Sequence, residues 1–185
     1  MERISSREIY SNRWITLHED VVRHDNGEQG IYSHIDKGDF ALIIPFDGAR
    51  FHLVEQFRYP LRQRCWEFPG GSIPDAQGFD PIEVARQELR EETGLRADNL
   101  ELLGKFAAAP ATANHYGHVV LATGLTEGEH EREATEQDMR AAWFTRDELE
   151  SMIAENVIVD SHCMAAYLLL LLHERKSATP TPPHA

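Results

Sequence analysis

The segment from Asp80 to Gly94 constrains the fold of this chain most strongly, because both ends of a helix are encoded within it. Asp80 is a favourable N-cap, and Pro81 suits the first helical position. Glu83, three residues after the cap, can complete a capping box, and Gly94 is a typical helix stop. One face carries an apolar stripe with helical spacing, formed by Ile82, Ala85 and Leu89. This stripe predicts that the helix packs onto a sheet.

The first third of the chain is rich in β-branched and aromatic residues bounded by turn formers, which predicts strands. Two antiparallel hairpins are expected: residues 14–24 with 31–35 around Asp25-Asn26-Gly27, and residues 40–46 with 50–59 around Asp47-Gly48. The Gly/Pro-rich residues 68–81 are too broken for a strand or a helix. Further along, we expect strands at 118–125 and 139–144, a helix at 146–154 opened by a capping box, and a helix from about Ser161.

Size and charge restrict the class of protein. The 185 residues, with 42% apolar and 26% charged residues, are typical of one globular domain. A formal charge of −13 disfavours nucleic acid and anionic membranes as partners, and favours a bound cation. The longest apolar run, residues 164–172, is too short to span a bilayer. Two distant cysteines and an N-terminus without a secretory pattern favour a cytoplasmic location.

Three glutamates near the end of the predicted helix are the strongest chemical signal. Glu88, Glu91 and Glu92 stand at i, i+3 and i+4, so their carboxylates share one side of the helix. Like charges at this spacing repel, and a hard divalent cation such as Mg²⁺ or Mn²⁺ removes that cost. A solvated acidic face is the alternative interpretation. The ordered string E-L-x-E-E-x-G-L after a glycine-rich loop favours the metal site.

This string resembles the second half of the Nudix box, which matches from Glu88 to Leu95. The resemblance implies a Nudix hydrolase with an α+β fold, an α/β/α sandwich in which a mixed sheet lies between helices. It implies that the three glutamates bind the metal together with the backbone carbonyl of Gly70. The resemblance covers residues 37–174 as the Nudix domain. The strand-rich residues 1–36 are expected to form N-terminal β-strands, and the proline-containing end predicts a disordered tail at 175–185.

The box departs from the family pattern at two positions. Gln87 stands where the family has an arginine that orients a catalytic carboxylate, and Phe79 stands where the family has an earlier glutamate. Glutamine can donate a hydrogen bond but brings no charge. These departures keep open a second hypothesis, in which the fold serves as a ligand-binding or sensor module with weak or no turnover.

Outside the box, the motifs VEQFRYP and WEFPGG resemble the ADP-ribose and nucleotide-sugar pyrophosphatase branch. The resemblance implies that Arg58 contacts a phosphate and that Lys37 binds substrate; solvated cations at strand ends are the alternative. Members of this branch exchange N-terminal strands between subunits, so a homodimer is expected. Trp14 and Tyr32 are candidate adenine platforms, or else core or interface aromatics.

The implied reaction is metal-dependent hydrolysis of the diphosphate of ADP-ribose or a nucleotide sugar, a small-molecule substrate, with AMP leaving from ADP-ribose. Glu92 takes part in this catalysis. A general base is expected on the acidic loop after the box, where Glu136 is the first candidate and Glu133 the second. Zinc chemistry is disfavoured, because His115 and His118 would point to opposite faces of a strand.

Overall fold

A computed structural model describes residues 1–72, 78–129 and 138–178 of the chain. Ten strands and three helices occur in this part, and the strands form three sheets. No helix among these residues has the length and apolar character needed to cross a membrane.

The N-terminal sheet is antiparallel and contains three strands in the order β1-β2-β3. These strands are β1 (Glu2–Ser11), β2 (Thr16–Arg23) and β3 (Gln29–Asp36). The turn between β2 and β3 lies at the predicted position, with Gly27 at φ +87° and the amide of His24 bonded to Glu28 at 2.8 Å. Strand β1, which the sequence patterns did not indicate, is exposed along its whole length.

The central sheet is mixed and has the order β7-β4-β9-β8. Its members are β4 (Phe40–Pro45), β7 (Gly70–Gly71), β8 (Leu95–Ala107) and β9 (Tyr116–Glu127). Strand β4 runs parallel to β9 and antiparallel to β7. The short strand β7 lies inside the segment that was expected to be irregular.

The third sheet is antiparallel, in the order β10-β5-β6, with β5 (Arg50–Arg58), β6 (Gln63–Glu67) and β10 (Arg140–Thr145).

The expected hairpin between residues 40–46 and 50–59 is wrong in its pairing. The turn itself forms, with Gly48 at φ +101° and Asp47 accepting from the amides of Ala49 and Arg50. Beyond it, the two strands meet only at the bridge between Phe46 and Phe51 and then enter different sheets. The reason is that β9 and β7, which are distant in sequence, occupy both edges of β4.

The helices cover the two faces of the central sheet. Helix α1 (Pro81–Thr93) lies on one face, helices α2 (Arg146–Ala154) and α3 (Ser161–Ala178) lie on the other, and alternate residues of β4 point to each side. The predicted mixed sheet between helices is thereby confirmed. Helix α3 continues without interruption to Ala178. Residues 175–178, which were expected to belong to the disordered tail, are therefore helical. Residues 179–185 of the predicted tail lie outside the described residues.

The caps of α1 are those that the sequence predicted, apart from Glu83. Asp80 accepts a hydrogen bond from the amide of Ile82, and Gly94 adopts φ +74° at the C-terminus. Glu83 lies 3.7 Å from Arg86, one helical turn along, on the exposed face. The apolar stripe packs against the sheet as expected, with Ala85 and Leu89 fully buried. These caps and contacts fix where the last turns of α1 meet strand β7.

The N-terminal sheet joins the rest of the protein through the end of β3. The amide of Ile35 donates to the carbonyl of Thr112 at 2.8 Å, and the Tyr32 hydroxyl donates to the carbonyl of Ala111 at 2.8 Å. Asn114 completes this junction, because its side chain donates to Asp36 at 2.8 Å. The segment between β8 and β9 is therefore held against the N-terminal sheet.

Candidate active site

Strand β7 lies against the last turns of α1, and the side chains of Glu88 and Glu92 reach from the helix to the strand. The amide of Gly70 donates to Glu92 Oε2 at 2.8 Å, and Glu92 is buried. A Cβ on Gly71 would lie 2.5 Å from Glu88 Oε1, and a Cβ on Gly70 would collide with the carbonyl of Ala41. The backbone therefore requires glycine at position 70, whereas a side chain at position 71 would displace the Glu88 carboxylate. Two of the three predicted carboxylates and the Gly70 backbone therefore occupy one place.

The third glutamate, Glu91, accepts a hydrogen bond from Gln87, one of the two residues that depart from the family pattern. Gln87 Nε2 donates to Glu91 Oε1 at 2.9 Å, one helical turn away. A neutral amide thus makes a hydrogen bond to a carboxylate at the position where the Nudix box has a charged arginine. Phe79, the other departure, packs its ring 4.9 Å from that of His118 and contacts the apolar cluster under α1. Phe79 consequently anchors the start of α1 rather than supplying a ligand.

The donors at this place suit a hard divalent cation, because carboxylate and carbonyl oxygens are the ligands that Mg²⁺ and Mn²⁺ prefer. Within residues 1–72, 78–129 and 138–178, no three histidine, cysteine, aspartate or glutamate side chains already converge to hold an ion. The Glu88 carboxylate lies directly over Gly71, where a side chain would displace it, and this oxygen donor beside β7 is the feature that fits a bound cation.

An arginine–glutamate pair lies beside this cluster. Arg58 at the end of β5 binds Glu67 at the end of β6, with its Nε 2.9 Å from Oε1 and its Nη2 also bonded to Oε2. The Glu67 side chain is buried, whereas 44% of the Arg58 side chain is exposed. The hydrogen bonds that Arg58 donates to Glu67 raise the pKa of Arg58, and the charges of Glu67, Glu92 and Asp160 add to this effect. Glu67 therefore fixes the direction of a permanently charged guanidinium.

A cleft of about 480 Å³ opens over these residues. Its walls include both predicted cationic residues, both glycines of β7 and the start of α3: Lys37, Arg58, Gly70, Gly71, Asp160 and His162. The apolar part of the cleft is formed by side chains such as Phe40 and Leu42. An anionic group in this cleft would face positive charge next to the carboxylate cluster, which is the arrangement expected for a phosphate bridged to a protein-bound cation.

Comparison with protein families agrees with this geometry. A sequence profile of the NUDIX domain matches residues 37–167, and a profile of the nucleoside diphosphate sugar hydrolase N-terminal domain matches residues 1–35. The chain belongs to the NUDIX family. It is a Nudix hydrolase in the branch of the ADP-ribose and nucleotide-sugar pyrophosphatases.

Individual relatives of this NUDIX chain cover nearly its whole length. It is 31% identical to an ADP-ribose pyrophosphatase of Mycobacterium tuberculosis over 98% of this chain and 88% of the relative. It is 33% identical to a methanol dehydrogenase activator of Bacillus methanolicus over 92% of each. The crystal structure of an ADP compounds hydrolase matches with a TM-score of 0.83 at 16% identity, covering 95% of both chains, and supports the same fold.

The remaining residues that the sequence singled out are dispersed in the NUDIX fold. His115 lines the cleft, whereas His118 points to the α1 side and lies 2.9 Å from Asp39, so the expected opposite orientation is observed. Trp14 is 46% exposed on the N-terminal sheet. Tyr32 lines a second cavity of about 320 Å³. The candidate bases Glu133 and Glu136 lie outside the described residues.

Two polar residues of the site, Glu67 and His162, were not identified as functional from the sequence. Glu67 follows Trp66 within the quoted motif WEFPGG. In the pairing of β5 with β6 it lies opposite Val54, and the long side chain of Arg58, four residues further along β5, reaches it. His162 reaches the cleft because α3 begins there, with the side chain of Asp160 accepting from the amides of residues 162 and 163. The signal available for His162 was its place next to a predicted helix start.

Proposed function

We propose that this NUDIX hydrolase cleaves the diphosphate bond of ADP-ribose, or of a closely similar nucleotide sugar, in a Mg²⁺- or Mn²⁺-dependent reaction. ADP-ribose would yield AMP and ribose 5-phosphate. The observation that carries the proposal is the apposition of Glu88 and Glu92 to the glycines of β7, directly beside a cleft that contains Arg58 and Lys37.

We assign the metal-binding role to Glu88, Glu91, Glu92 and the carbonyl of Gly70. When bound, the cation neutralises charge on the diphosphate and lowers the pKa of the attacking water. The Gly70 amide keeps the Glu92 carboxylate in place, and Gln87 does the same for Glu91. Positioned ligands of this kind are the part of the site that the protein must supply in advance.

We assign substrate binding to Arg58 and Lys37. Arginine presents a planar pair of N–H groups that matches phosphate oxygens. Glu67 accepts hydrogen bonds from the Arg58 guanidinium and thereby fixes its plane. Lys37 lies where β3 leads into β4, with its backbone amide bonded to Asn114 at 3.1 Å. Its ammonium group provides the second positive charge of the cleft. Glu67 is thus a positioning residue rather than a contact residue.

We assign the general base to Glu136, with Glu133 as the second candidate, on the loop that precedes β10. We further propose a homodimer in the cytoplasm. The relatives named as pyrophosphatases favour turnover over a module that only binds its ligand.

Incubation with ADP-ribose, nucleotide sugars and dinucleotides, each with and without Mg²⁺, tests this function. Product analysis should reveal AMP and ribose 5-phosphate from ADP-ribose only when the cation is present. Substrate binding without product from any compound would favour the binding-module hypothesis. Product formation that persists in the presence of a chelator would contradict the metal-dependent mechanism.

A further inference from the structure

His115 separates two cavities and lines both of them. One is the cleft of about 480 Å³ with Arg58 and Lys37, and the other is the cavity of about 320 Å³ beneath the N-terminal sheet. His115 directly precedes β9, and its backbone carbonyl accepts from the amide of Ala108 at 3.2 Å. The imidazole ring lies 5.8 Å from that of Phe40, measured between centroids. The ring therefore stands at the junction between the two spaces.

The polar atoms of this imidazole are not explained by the fold. Only 8% of His115 is exposed, and its buried Nδ1 has no hydrogen-bond partner within the part of the chain that the structure describes. A buried polar atom without a hydrogen-bond partner destabilises the fold, so its presence requires a reason. Burial lowers the pKa of His115, and the positive charges of Lys37 and His162 lower it further. The ring is therefore neutral at neutral pH, with one donor and one acceptor nitrogen.

The two cavities differ in chemistry. The cleft carries the cationic residues that suit a diphosphate, whereas the walls of the smaller cavity include the aromatic rings of Tyr32 and Tyr116 and the backbone around Thr112. A nucleoside diphosphate derivative has the same division, because its charged diphosphate is flanked by uncharged, hydroxyl-bearing sugars. A hydroxyl group both donates and accepts hydrogen bonds, as a neutral imidazole does.

We propose that one substrate molecule spans both cavities, with its diphosphate in the cleft, and that the His115 imidazole forms a hydrogen bond to a sugar hydroxyl group at the junction. This inference rests on the proposed function and deepens it, because it makes His115 a specificity-determining residue. The hydroxyl belongs either to the ribose of the nucleoside or to the terminal sugar, and the two product halves distinguish these sources.

Binding of AMP and of ribose 5-phosphate, measured without metal by NMR titration, tests the inference independently of turnover. Each ligand is compared with its deoxy form: AMP with 2′-deoxy-AMP and 3′-deoxy-AMP, and ribose 5-phosphate with 2-deoxyribose 5-phosphate. In the wild type, loss of the contacted hydroxyl should weaken binding roughly 5-fold, which corresponds to a hydrogen bond of about 1 kcal/mol. In His115→Phe, the same deoxy form should bind as its hydroxyl-bearing parent does.

Two further variants separate hydrogen bonding from shape. His115→Gln retains a donor and an acceptor and should keep part of the preference for the hydroxyl-bearing ligand. His24→Phe, at an exposed histidine in the β2–β3 turn, is the matched control and should behave as the wild type.

Equal discrimination in the wild type and in His115→Phe would overturn the inference and leave the proposed function intact. Failure of the wild type to bind either AMP or ribose 5-phosphate would overturn the inference, and the assay of AMP release decides the proposed function separately. If His115→Phe does not fold, as shown by its thermal unfolding curve, His115→Leu replaces it, and equal discrimination in His115→Leu and in the wild type would overturn the inference.

Discussion

The neutral side chain of Gln87 can orient a carboxylate of the site, as the arginine of the Nudix box does, but without a positive charge. Its amide holds Glu91 at 2.9 Å, which orients one carboxylate without offsetting the charge of the cluster. Groups that orient metal ligands typically change metal affinity by about 10-fold or more when removed.

Gln87→Leu should therefore weaken Mn²⁺ binding roughly 10-fold, because Glu91 loses the donor that fixes its rotamer. Mn²⁺ affinity is measured directly by electron paramagnetic resonance. Arg86→Gln, the neighbouring position on the exposed face of α1, is the control and should leave the affinity close to that of the wild type. An unchanged affinity in Gln87→Leu would mean that Glu91 needs no such support.

Gly71 provides a test that leaves every proposed ligand in place. Gly71→Ala puts a methyl group 2.5 Å from Glu88 Oε1, so the carboxylate must move away from β7. We expect Mn²⁺ affinity and turnover both to fall by at least roughly 10-fold. Gly38→Ala, where an added Cβ meets nothing within 4 Å, should change neither. Wild-type affinity in Gly71→Ala would show that the cation does not bind beside Glu88.

The sequence predicted those site residues whose chemistry is local. Glu88 and Glu92 share a helix face and precede a helix stop, so their proximity follows from helical periodicity alone. Glu67 and His115 acquire their surroundings from pairing and packing between distant segments. No spacing in the sequence encodes such neighbours, so the place of these two residues in the cleft emerged only from the structure.

The secondary-structure elements also divide into those that neighbouring residues determine and those that depend on distant segments. Helix α1 and helix α2 begin at the predicted residues, because their caps are made by side chains within the first turn. Strands β1 and β8 were not predicted, and β4 and β5 were paired incorrectly. Strand β8 alternates weakly between buried and exposed residues and is held by its long pairing with β9. Strand pairing depends on partners that sequence patterns do not name.

Helices α2 and α3 are joined by one buried tyrosine. Tyr167 in α3 donates to Glu150, and Arg146 in α2 donates to the Tyr167 hydroxyl at 3.0 Å. Burial, followed by the hydrogen bond with Glu150, raises the pKa of Tyr167 to about 12. Because the folded-state pKa is raised, the protonated tyrosine stabilises the fold fully below the unfolded value of about 10. This stabilisation is lost as the pH rises towards about 12.

The free energy of unfolding, measured by urea denaturation at a series of pH values, should therefore fall between about pH 10 and 12 in the wild type. In Tyr167→Phe that fall should be smaller, since the variant has no hydroxyl to ionise at this position. Tyr59→Phe, at a tyrosine that is 66% exposed, should keep the wild-type profile. Identical profiles for Tyr167→Phe and the wild type would show that the Tyr167 hydroxyl is not the titrating group.

At the scale of the whole molecule, the N-terminal sheet leaves large apolar side chains uncovered. Ile9 is 46% and Ile31 is 70% exposed, and β1 has no strand on its outer edge among the described residues. Exposed strand edges and apolar faces are commonly covered by a second chain. This observation supports the homodimer that the family resemblance led us to expect.

Light scattering on the purified protein should give twice the monomer mass of 21.1 kDa. The double variant Ile9→Lys with Ile31→Lys should shift the protein to the monomer, because two charges would be buried in the contact. Leu168→Lys, an equally apolar and 56% exposed position on α3, should remain dimeric. A monomeric wild type would contradict the proposal, as would a dimer that both lysines leave intact.

We propose that the carboxylates beside β7 bind the cation on which diphosphate hydrolysis by this NUDIX protein depends. The most direct test of this proposal is AMP release from ADP-ribose in the presence of Mg²⁺, compared between the wild type, Glu92→Gln and the exposed control Glu101→Gln. We predict that Glu92→Gln loses at least roughly 1,000-fold in kcat, the scale of other groups that stabilise transition-state charge, while Glu101→Gln remains at the wild-type rate. Wild-type turnover by a folded Glu92→Gln protein would contradict the account.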